Sequence, residues 1–109
     1  MATSLEGLHA ADGERVASDA IATAITAGGF VYDDGSTQSF DANGTTTYNE
    51  QGRPTAGEWY VDDNGRFCSY WPPSYRACYD LFWIVEHDAI VGLRFEAVDN
   101  GSRFDGRYQ

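Results

Sequence analysis

Five side chains between positions 79 and 94 are the candidates for acid–base chemistry in this sequence. They are Tyr79, Asp80, Glu86, His87 and Arg94. His87 lies among carboxylates in the triplet Glu86-His87-Asp88, and histidine is the usual proton shuttle near neutral pH. A single triplet of this kind in a turn is more often solvated surface. Acid–base catalysis is therefore an alternative interpretation of these residues, not the first one.

Asp80 and Arg94 stand in the middle of two adjacent predicted strands. Asp80 lies between apolar neighbours, and Arg94 is in diagonal reach of it across the hairpin. This arrangement predicts a cross-strand ion pair on the outer face. If both residues were buried instead, the pair would be a functional candidate, because perturbed charges cluster at active sites.

The two cysteines, Cys68 and Cys78, are separated by nine residues. They could form a disulfide, a metal pair or two buried thiols. The strand register derived below places them opposite one another, which favours the disulfide. A disulfide in turn favours a periplasmic or secreted protein, while a cytoplasmic one stays open. No secretory signal is visible after Met1.

No group of residues predicts a metal site or a cofactor. Several Asp-rich segments that end in Gly superficially suggest calcium, but none has the ligand spacing of an EF-hand loop. Type I′ turns demand Asp-Gly and Asn-Gly in any case. Two distant histidines and two paired cysteines do not form a zinc site. The sequence has neither a phosphate loop nor a Gly-x-Ser-x-Gly nucleophile.

Aromatic residues concentrate between Gly57 and Glu86, where all three tryptophans of the chain lie. Large flat rings along one wall are a common way to hold apolar or aromatic ligands. The same rings could instead fill the interior of a small barrel. The residues predicted to bind a ligand are Trp59, Phe67, Trp71, Tyr79, Trp83 and Phe95.

Composition limits the class of protein. The formal charge of −10 argues against nucleic acid as a partner, because an acidic surface repels phosphates. No apolar run reaches the length of a membrane span, which predicts a soluble chain. The 109 residues fit a single domain, 1–109, with one modest core.

The spacing of apolar residues predicts one helix followed by a β-meander. Residues 1–12 show no periodicity and are expected to be loose at the surface. Apolar residues three and four apart predict a helix over 13–28, which a Gly-Gly pair ends. Turn signals then recur between short runs of β-forming residues, which predicts a mainly β fold, an antiparallel up-and-down barrel over 29–109. Its strands, about eight in number, are expected at 29–33, 36–41, 45–50, 55–62, 66–71, 77–86, 89–98 and 102–108.

Strand parity assigns each side chain to a face, because a slip by one residue would invert a whole strand. A three-residue turn around His87 pairs Glu86 with Ile90 and gathers the apolar residues of both strands on one face. A two-residue turn would bring Arg94 to the same face as Trp83. The longer turn is therefore predicted.

The same parity extends to the neighbouring hairpins. It places Cys68 directly across from Cys78, on the outer face. A two-residue Asn-Gly turn after Asp99 pairs Ala97 with Phe104. The resulting inner face consists of Trp59, Val61, Phe67, Trp71, Tyr79, Leu81, Trp83, Val85, Val91, Leu93, Phe95 and Phe104.

The order of short motifs resembles that of a set of small, mostly uncharacterised bacterial one-domain proteins, many of which carry signal peptides. These proteins show a short helix ending in glycine, Gly-x-Trp-x-Val, an acidic turn, Cys-x-x-Trp, and a second Cys followed by an aromatic residue. Here the motifs are Gly57-Glu-Trp59-Tyr-Val61, Asp62-Asp-Asn-Gly65, Cys68-Ser-Tyr-Trp71 and Cys78-Tyr79, within residues 14–106. The resemblance implies a calycin-like meander barrel of the lipocalin and avidin type. True lipocalins carry Gly-x-Trp on the first strand, so no lipocalin ligand is implied.

Three functions follow from these features. The first is a small β-barrel that binds a small apolar or aromatic molecule in an aromatic-lined pocket. The second is a small-molecule isomerase, cyclase or lyase with its acid–base residues at the barrel mouth. The third is a periplasmic interaction module that uses Trp71–Arg76, expected to be a long loop, because Trp, Tyr and Arg are common at interfaces. A small-molecule ligand is the expected partner, and no cofactor is expected.

Overall fold

The chain folds into a closed barrel of eight antiparallel strands that neighbour one another in sequence order, with the first strand closing against the last. The computed structural model describes Leu5 and residues 8–109. This architecture confirms the predicted mainly β, up-and-down barrel. The strands are β1 Phe30–Tyr32, β2 Thr37–Phe40, β3 Thr45–Glu50, β4 Arg53–Val61, β5 Phe67–Trp71, β6 Tyr75–Glu86, β7 Ala89–Ala97 and β8 Arg103–Tyr108.

The two ends of the barrel are built differently. The β1–β2, β3–β4, β5–β6 and β7–β8 turns form what we call the upper end. The other three turns form the lower end, together with a short helix, α1 (Ile21–Thr26), and the 3₁₀ turn Ser18–Ala20. The Tyr108 hydroxyl at the end of β8 donates a hydrogen bond to the Ala24 carbonyl of α1 at 2.6 Å. The helix therefore closes the lower end. No described helix has the length and apolarity needed to cross a membrane.

The helix predicted over 13–28 is wrong in its first part. Residues 13–16 are extended beside β6, where the Val16 amide donates to the Leu81 carbonyl at 2.9 Å. Pairing between β5 and β6 ends at Tyr79, so the rest of β6 has a free edge on that side. Buried backbone groups require hydrogen-bond partners, and the N-terminal segment supplies them. A tertiary contact thus overrides the helical spacing of the apolar residues.

Two described residues of the segment 1–12, which was expected to be loose at the surface, contact the barrel. Residues 1–4 and 6–7 lie outside the described part of the chain. Leu5 is buried in the core, with 7% of its surface exposed. The Asp12 carboxylate accepts a hydrogen bond from a backbone amide of β6 at 2.9 Å. Both features tie the segment to the barrel.

The turn between β6 and β7 is shorter than predicted. Glu86 lies opposite Ala89, so the predicted pairing of Glu86 with Ile90 is wrong. His87 and Asp88 make the turn alone, with φ angles of 52° and 64°. Positive φ at both central residues is what a two-residue type I′ turn requires.

A β-bulge next to this turn restores the predicted register. Val85 lies opposite Ile90 and Ile84 opposite Gly92, so Val91 is left out of the pairing. The extra residue on β7 compensates for the missing residue of the turn, and the remaining pairs of this hairpin are those predicted. As a consequence Ile90, and not the predicted Val91, packs against the core.

The β7–β8 hairpin is shifted from its predicted register by two residues. Phe104 lies opposite Phe95, so its predicted pairing with Ala97 is wrong. The Ala97 amide instead donates to the Ser102 carbonyl at 2.8 Å, which makes the turn longer than two residues. Because side chains alternate with period two, a shift of two leaves every residue on its predicted face.

The β5–β6 hairpin confirms the predicted disulfide. Cys68 lies opposite Cys78, and the two sulfurs are bonded. Trp71 lies opposite Tyr75 at the end of the same hairpin. The long loop expected over Trp71–Arg76 is therefore wrong, because the two strands continue to a short turn at the upper end.

Candidate functional site: a cavity with aromatic walls

Four phenylalanines divide the barrel interior into two halves. Phe30, Phe40, Phe67 and Phe95 come from four different strands and touch one another in a closed ring. Taken in that order, successive ring centroids are 5.8, 5.7, 5.9 and 5.9 Å apart, and each pair meets edge to face. Each of these residues is at most 7% exposed. Edge-to-face pairs stabilise beyond the burial of their area, so this layer, which we call the phenylalanine floor, is a rigid partition.

The lower half is filled with side chains. Trp59 and Trp83 are 9% and 5% exposed, and they share one continuous core with the apolar face of α1. The Trp59 indole N–H donates to the Asp41 carbonyl at 2.9 Å, which satisfies its polar atom. Val61 was predicted to lie inside but is 38% exposed, because it is the last residue of β4 at the lower rim. The predicted inner-face residues buried in the core are Trp59, Phe67, Leu81, Trp83, Leu93 and Phe95.

The upper half encloses a cavity of about 500 Å³ that opens at the upper end. Five aromatic side chains from five strands stand around it, and we call them the aromatic collar: Trp71, Tyr48, Tyr32, Phe104 and Tyr79. Taken in that order, successive ring centroids are 6.5, 6.4, 5.5 and 5.7 Å apart. The rings therefore support one another around the cavity without closing over it.

Strand alternation places the collar above the phenylalanine floor. Side chains two or four residues apart on a strand point to the same face, so Tyr32 follows Phe30 and Trp71 follows Phe67 upward along the interior. Gly57 makes room for one of these rings, since a Cβ at this position would lie 2.5 Å from Cε3 of Trp71. Regular strands and one missing side chain are thus enough to position the walls.

The polar groups of the cavity wall bond mainly to one another. The Tyr32 hydroxyl donates to Oε1 of Gln38 at 2.6 Å, and Nε2 of Gln38 donates to the Thr46 hydroxyl at 2.9 Å. Burial raises the pKa of Tyr32 far above the usual range, and it also raises the pKa of Tyr79. Both phenols therefore stay neutral near pH 7, and the wall presents aromatic rings to the cavity.

The mouth of the cavity is acidic. Asp33 and Asp34 lie in the β1–β2 turn, and Asp105 lies on β8 beside them. The hydroxyl and the backbone amide of Ser36 both donate to Oδ1 of Asp34, the amide at 2.9 Å. These hydrogen bonds lower the pKa of Asp34 below its usual value. Asp105 accepts two hydrogen bonds from Arg94, at 2.8 and 3.0 Å, and is neutralised by that pairing.

The six residues predicted to bind a ligand are divided between the two halves. Trp71 and Tyr79 stand in the aromatic collar. Phe67 and Phe95 belong to the phenylalanine floor and line a second, smaller cavity, which Trp71 and Tyr79 also border. The other two tryptophans lie in the filled lower half and do not line the cavity.

The five predicted acid–base residues do not come together. Of them, Tyr79 lines the main cavity. Glu86 and His87 lie at the lower end, on the far side of the phenylalanine floor, and Glu86 pairs with Arg107 at 2.7 Å on the outer surface. This pairing lowers the pKa of Glu86. A general acid and a general base facing one substrate are not found among these residues.

The predicted ion pair between Asp80 and Arg94 is wrong. Asp80 instead accepts hydrogen bonds from Arg15 at 2.6 Å and from Arg66 at 3.2 Å. Arg94 faces Asp105 directly across the β7–β8 hairpin, whereas Asp80 is only diagonal to it across β6–β7. Arg94 therefore pairs with Asp105, the carboxylate that lies directly opposite it.

The sequence analysis missed the part of the wall that β1, β2 and β3 supply. These strands are short, between three and six residues, and no face was assigned to them. The signal is present as alternation in Phe30-x-Tyr32, Gln38-x-Phe40 and Thr46-x-Tyr48, since alternate residues share a face. The missed residues of the wall and mouth are Tyr32, Asp33, Asp34, Ser36, Gln38, Tyr48 and Asp105.

One group of possible metal ligands occurs in the described part of the chain. The carboxylate of Asp62 and the sulfurs of Cys68 and Cys78 lie within 4.8 Å of one another. The sulfurs are bonded to each other, and metal binding by cysteine requires the thiolate. This group is therefore a disulfide with a neighbouring carboxylate and does not form a metal centre.

Comparison of the chain with protein-family models, with curated proteins and with solved structures finds no significant match. The resemblance to small bacterial barrel proteins stays an expectation. The function is argued below from the geometry of the cavity.

Proposed function

We propose that the protein binds a small apolar or aromatic molecule in the upper cavity. The observation that carries this proposal is the aromatic collar, whose five rings stand around an open space above the phenylalanine floor. The cavity volume of about 500 Å³ falls within the range of ligand pockets, roughly 300–1,000 Å³. Rings used only for packing would be expected to close this space, because interiors are packed to the density of organic crystals.

The chemistry of the wall suits an apolar body. Tyr32, Gln38 and Thr46 bond to one another, so these groups already have hydrogen-bond partners without a ligand. The Trp71 indole N–H is likewise bonded to the Ser69 hydroxyl at 3.2 Å. Binding is then driven by the apolar surface that ligand and rings remove from water, at roughly 25 cal/mol per Å².

Binding without catalysis is preferred to the isomerase, cyclase or lyase alternative. Tyr79 is the one predicted acid–base residue that faces the main cavity. Burial raises its pKa, which makes the phenolate a poor candidate for a base near neutral pH. The other four candidates lie on the outer face or at the lower end.

Titration with uncharged ligands tests the proposal. Thermal shift should saturate with 2-phenylethanol, indole or 2-naphthol, and the change in tryptophan fluorescence should saturate with 2-phenylethanol, which does not emit in the same range. Tyr48→Ala removes one ring of the collar and should weaken binding roughly tenfold, because one aromatic contact is worth about 1.4 kcal/mol. Tyr60→Ala, on the outer face, is the matched control and should bind as the unaltered protein does. Absence of saturable binding, or equal losses in the two variants, would overturn the proposal.

We further infer that the protein works in an oxidising compartment, periplasmic or extracellular. The disulfide between Cys68 and Cys78 supports this, since such bonds are rare in reducing cytoplasm. Thiol labelling of the protein as taken from its source should modify neither cysteine before reduction. Labelling of both cysteines without reductant would contradict the inference.

A further inference from the structure

We propose that the natural ligand of the upper cavity is a small organic cation, an ammonium group joined to an apolar body. This inference rests on the proposed binding function and narrows it to one chemical class. It depends on two independent features, the ring faces that line the cavity and the carboxylates at its mouth.

The aromatic collar is the first feature. The face of an aromatic ring is electron-rich, and it attracts a cation placed over it, most strongly where water is excluded. Several rings around one space are the arrangement with which proteins hold quaternary ammonium groups. Here five rings surround one cavity, and the polar atoms of Tyr32 and Trp71 are bonded to Gln38 and Ser69. Among the described residues no Lys or Arg side chain lines this cavity, so a cation inside would not compete with another cation.

The carboxylates of the β1–β2 turn are the second feature. Asp34 is held by Ser36, a residue that is only 5% exposed and is itself part of the cavity wall. Both hydrogen bonds from Ser36 end on Oδ1, and no described residue donates to Oδ2. Burial is the main cause of the raised pKa of Tyr32, and the negative charge of Asp34 adds a smaller part of it. The carboxylate is fixed at the mouth with one oxygen left for a ligand.

The neighbouring arginines do not cancel this charge. Arg94 and Arg103 lie with Asp33 around a shallow depression beside the mouth. Arg94 is engaged by Asp105 in a two-bond pair, and Arg103 is paired with Glu96. Within the described residues no cation is in ion-pair distance of Asp33 or Asp34. The mouth thus keeps two carboxylates without an ion-pair partner among the described residues, on a chain whose formal charge is −10.

These charges select among ligands with the same apolar body. An anionic ligand would bring its charge next to two carboxylates, which costs free energy at close range and slows approach through the field of the whole protein. A neutral ligand gains only the apolar contacts. A cation gains the ring faces and the carboxylates together, so it is the class that the site favours.

A matched ligand series tests this inference. Phenethylammonium, 2-phenylethanol and 3-phenylpropionate share one apolar body and differ in charge, and their dissociation constants are measured by calorimetry at low and at physiological salt. The cation is expected to bind at least tenfold more tightly than the alcohol, and the anion more weakly than either. Added salt should weaken binding of the cation and leave the alcohol unaffected, since salt screens exposed charges.

Amide variants assign the effect to the mouth. In the double variant Asp33→Asn and Asp34→Asn, the cation should lose its advantage while 2-phenylethanol binds unchanged, because an amide oxygen can still accept the bonds from Ser36. Asp63→Asn, in the β4–β5 turn at the lower end, removes one charge far from the cavity and should change neither ligand.

Each other outcome has a distinct meaning. If the alcohol binds as tightly as the cation, this inference is overturned and the proposed function stands. If no member of the series binds, the proposed function falls and this inference falls with it. If the cation keeps its advantage in the double amide variant, the two carboxylates are not its partners and the inference is overturned.

Discussion

The two halves of the barrel use inward-facing tryptophans in opposite ways. Trp59 in the lower half is 9% exposed and gives its indole N–H to a backbone carbonyl inside the packed core. Trp71 in the upper half stands at the edge of an open cavity and gives its indole N–H to Ser69 on the same strand. Both face inward on neighbouring strands, β4 and β5. The direction in which a side chain faces therefore does not decide whether it packs in the core or lines the cavity.

The two halves differ in the segments of the chain that close their ends. The lower end receives α1 and the extended segment 13–16, which bury Val16 and Ile25 against the barrel. In the described part of the chain the upper end receives only short turns, and one of them carries Asp33 and Asp34. Small barrels either fill their interior or keep room for one ligand. This barrel does both, with the phenylalanine floor as the boundary.

The largest expected loss of stability comes from a substitution in the phenylalanine floor itself. Phe30→Ala removes a fully buried ring that contacts two other rings of the floor. It should lower the free energy of unfolding by about 3–5 kcal/mol, the usual cost of deleting a core aromatic ring. Phe104→Ala, its counterpart in the collar, removes a ring that is 40% exposed and should cost about 1–2 kcal/mol. Urea denaturation followed by circular dichroism measures both.

Equal losses in the free energy of unfolding for Phe30→Ala and Phe104→Ala would contradict the distinction between the two halves. Equal losses would mean that the collar is a second core and that the cavity collapses when a ring is removed. A large loss for Phe30→Ala alone would place stability in the lower half and leave the upper half for binding.

The face of each strand could be predicted because side chains alternate with period two, so an error of two residues in register leaves every side chain on the same face. The turn at His87 and Asp88 is one residue shorter than predicted, and the bulge at Val91 compensates for it. The β7–β8 register is off by two at Phe104, which changes no face. Because one face of the sheet is buried, only a register shift by an odd number of residues would expose the apolar side chains. The inner face could therefore be predicted although two of the predicted pairings were wrong.

The N-terminal segment and the cavity could not be predicted in the same way. Val16 fits the helical spacing of the apolar residues that follow it, so the sequence favours a helix that begins before residue 16. The free edge of β6, which pairs with this segment instead, exists only in the assembled barrel. The cavity is likewise a property of the closed sheet, because Tyr32 and Phe104 become neighbours only when β1 pairs with β8. Local spacing carries no information about either contact.

A loss of stability of intermediate size should follow from a substitution that crowds the Trp71 ring of the collar. Gly57→Ala would place a Cβ 2.5 Å from Cε3 of Trp71 and 2.9 Å from the Tyr70 carbonyl. Since a backbone atom is involved, the strands or the ring must shift, at a cost of about 1–3 kcal/mol. The displaced Trp71 ring should also lower affinity for 2-phenylethanol several-fold. Ala56→Val adds bulk to the exposed neighbouring position and should change stability by less than about 0.5 kcal/mol.

Loss of stability in Gly57→Ala with unchanged affinity would show that Trp71 moves without affecting the ligand. That result would separate the ring from the site and remove one wall of the proposed collar. A parallel loss of both would tie the upper half's packing to its binding.

The smallest expected effect tests how the lower end is held shut. The Asp80 carboxylate, 20% exposed, bonds to Arg15 of the N-terminal segment and to Arg66 of the barrel. Asp80→Asn should cost about 1 kcal/mol, because it weakens two charge-assisted bonds that are only partly screened by water. Glu86→Gln breaks a single pair whose side chains are each 46% exposed, and it should cost less than about 0.5 kcal/mol.

Hydrogen exchange locates this loss. In Asp80→Asn the Val16 amide, which donates to β6, should exchange faster, while affinity in the upper cavity stays unchanged. Faster exchange confined to residues 13–16 would show that the lower end can loosen without disturbing the upper one. Equal exchange in Asp80→Asn and Glu86→Gln would instead mean that the backbone bonds along β6 hold the segment without help from the ion pairs. A change in ligand affinity would contradict the separation of the two halves, because the phenylalanine floor would then transmit strain from the closed end to the open one.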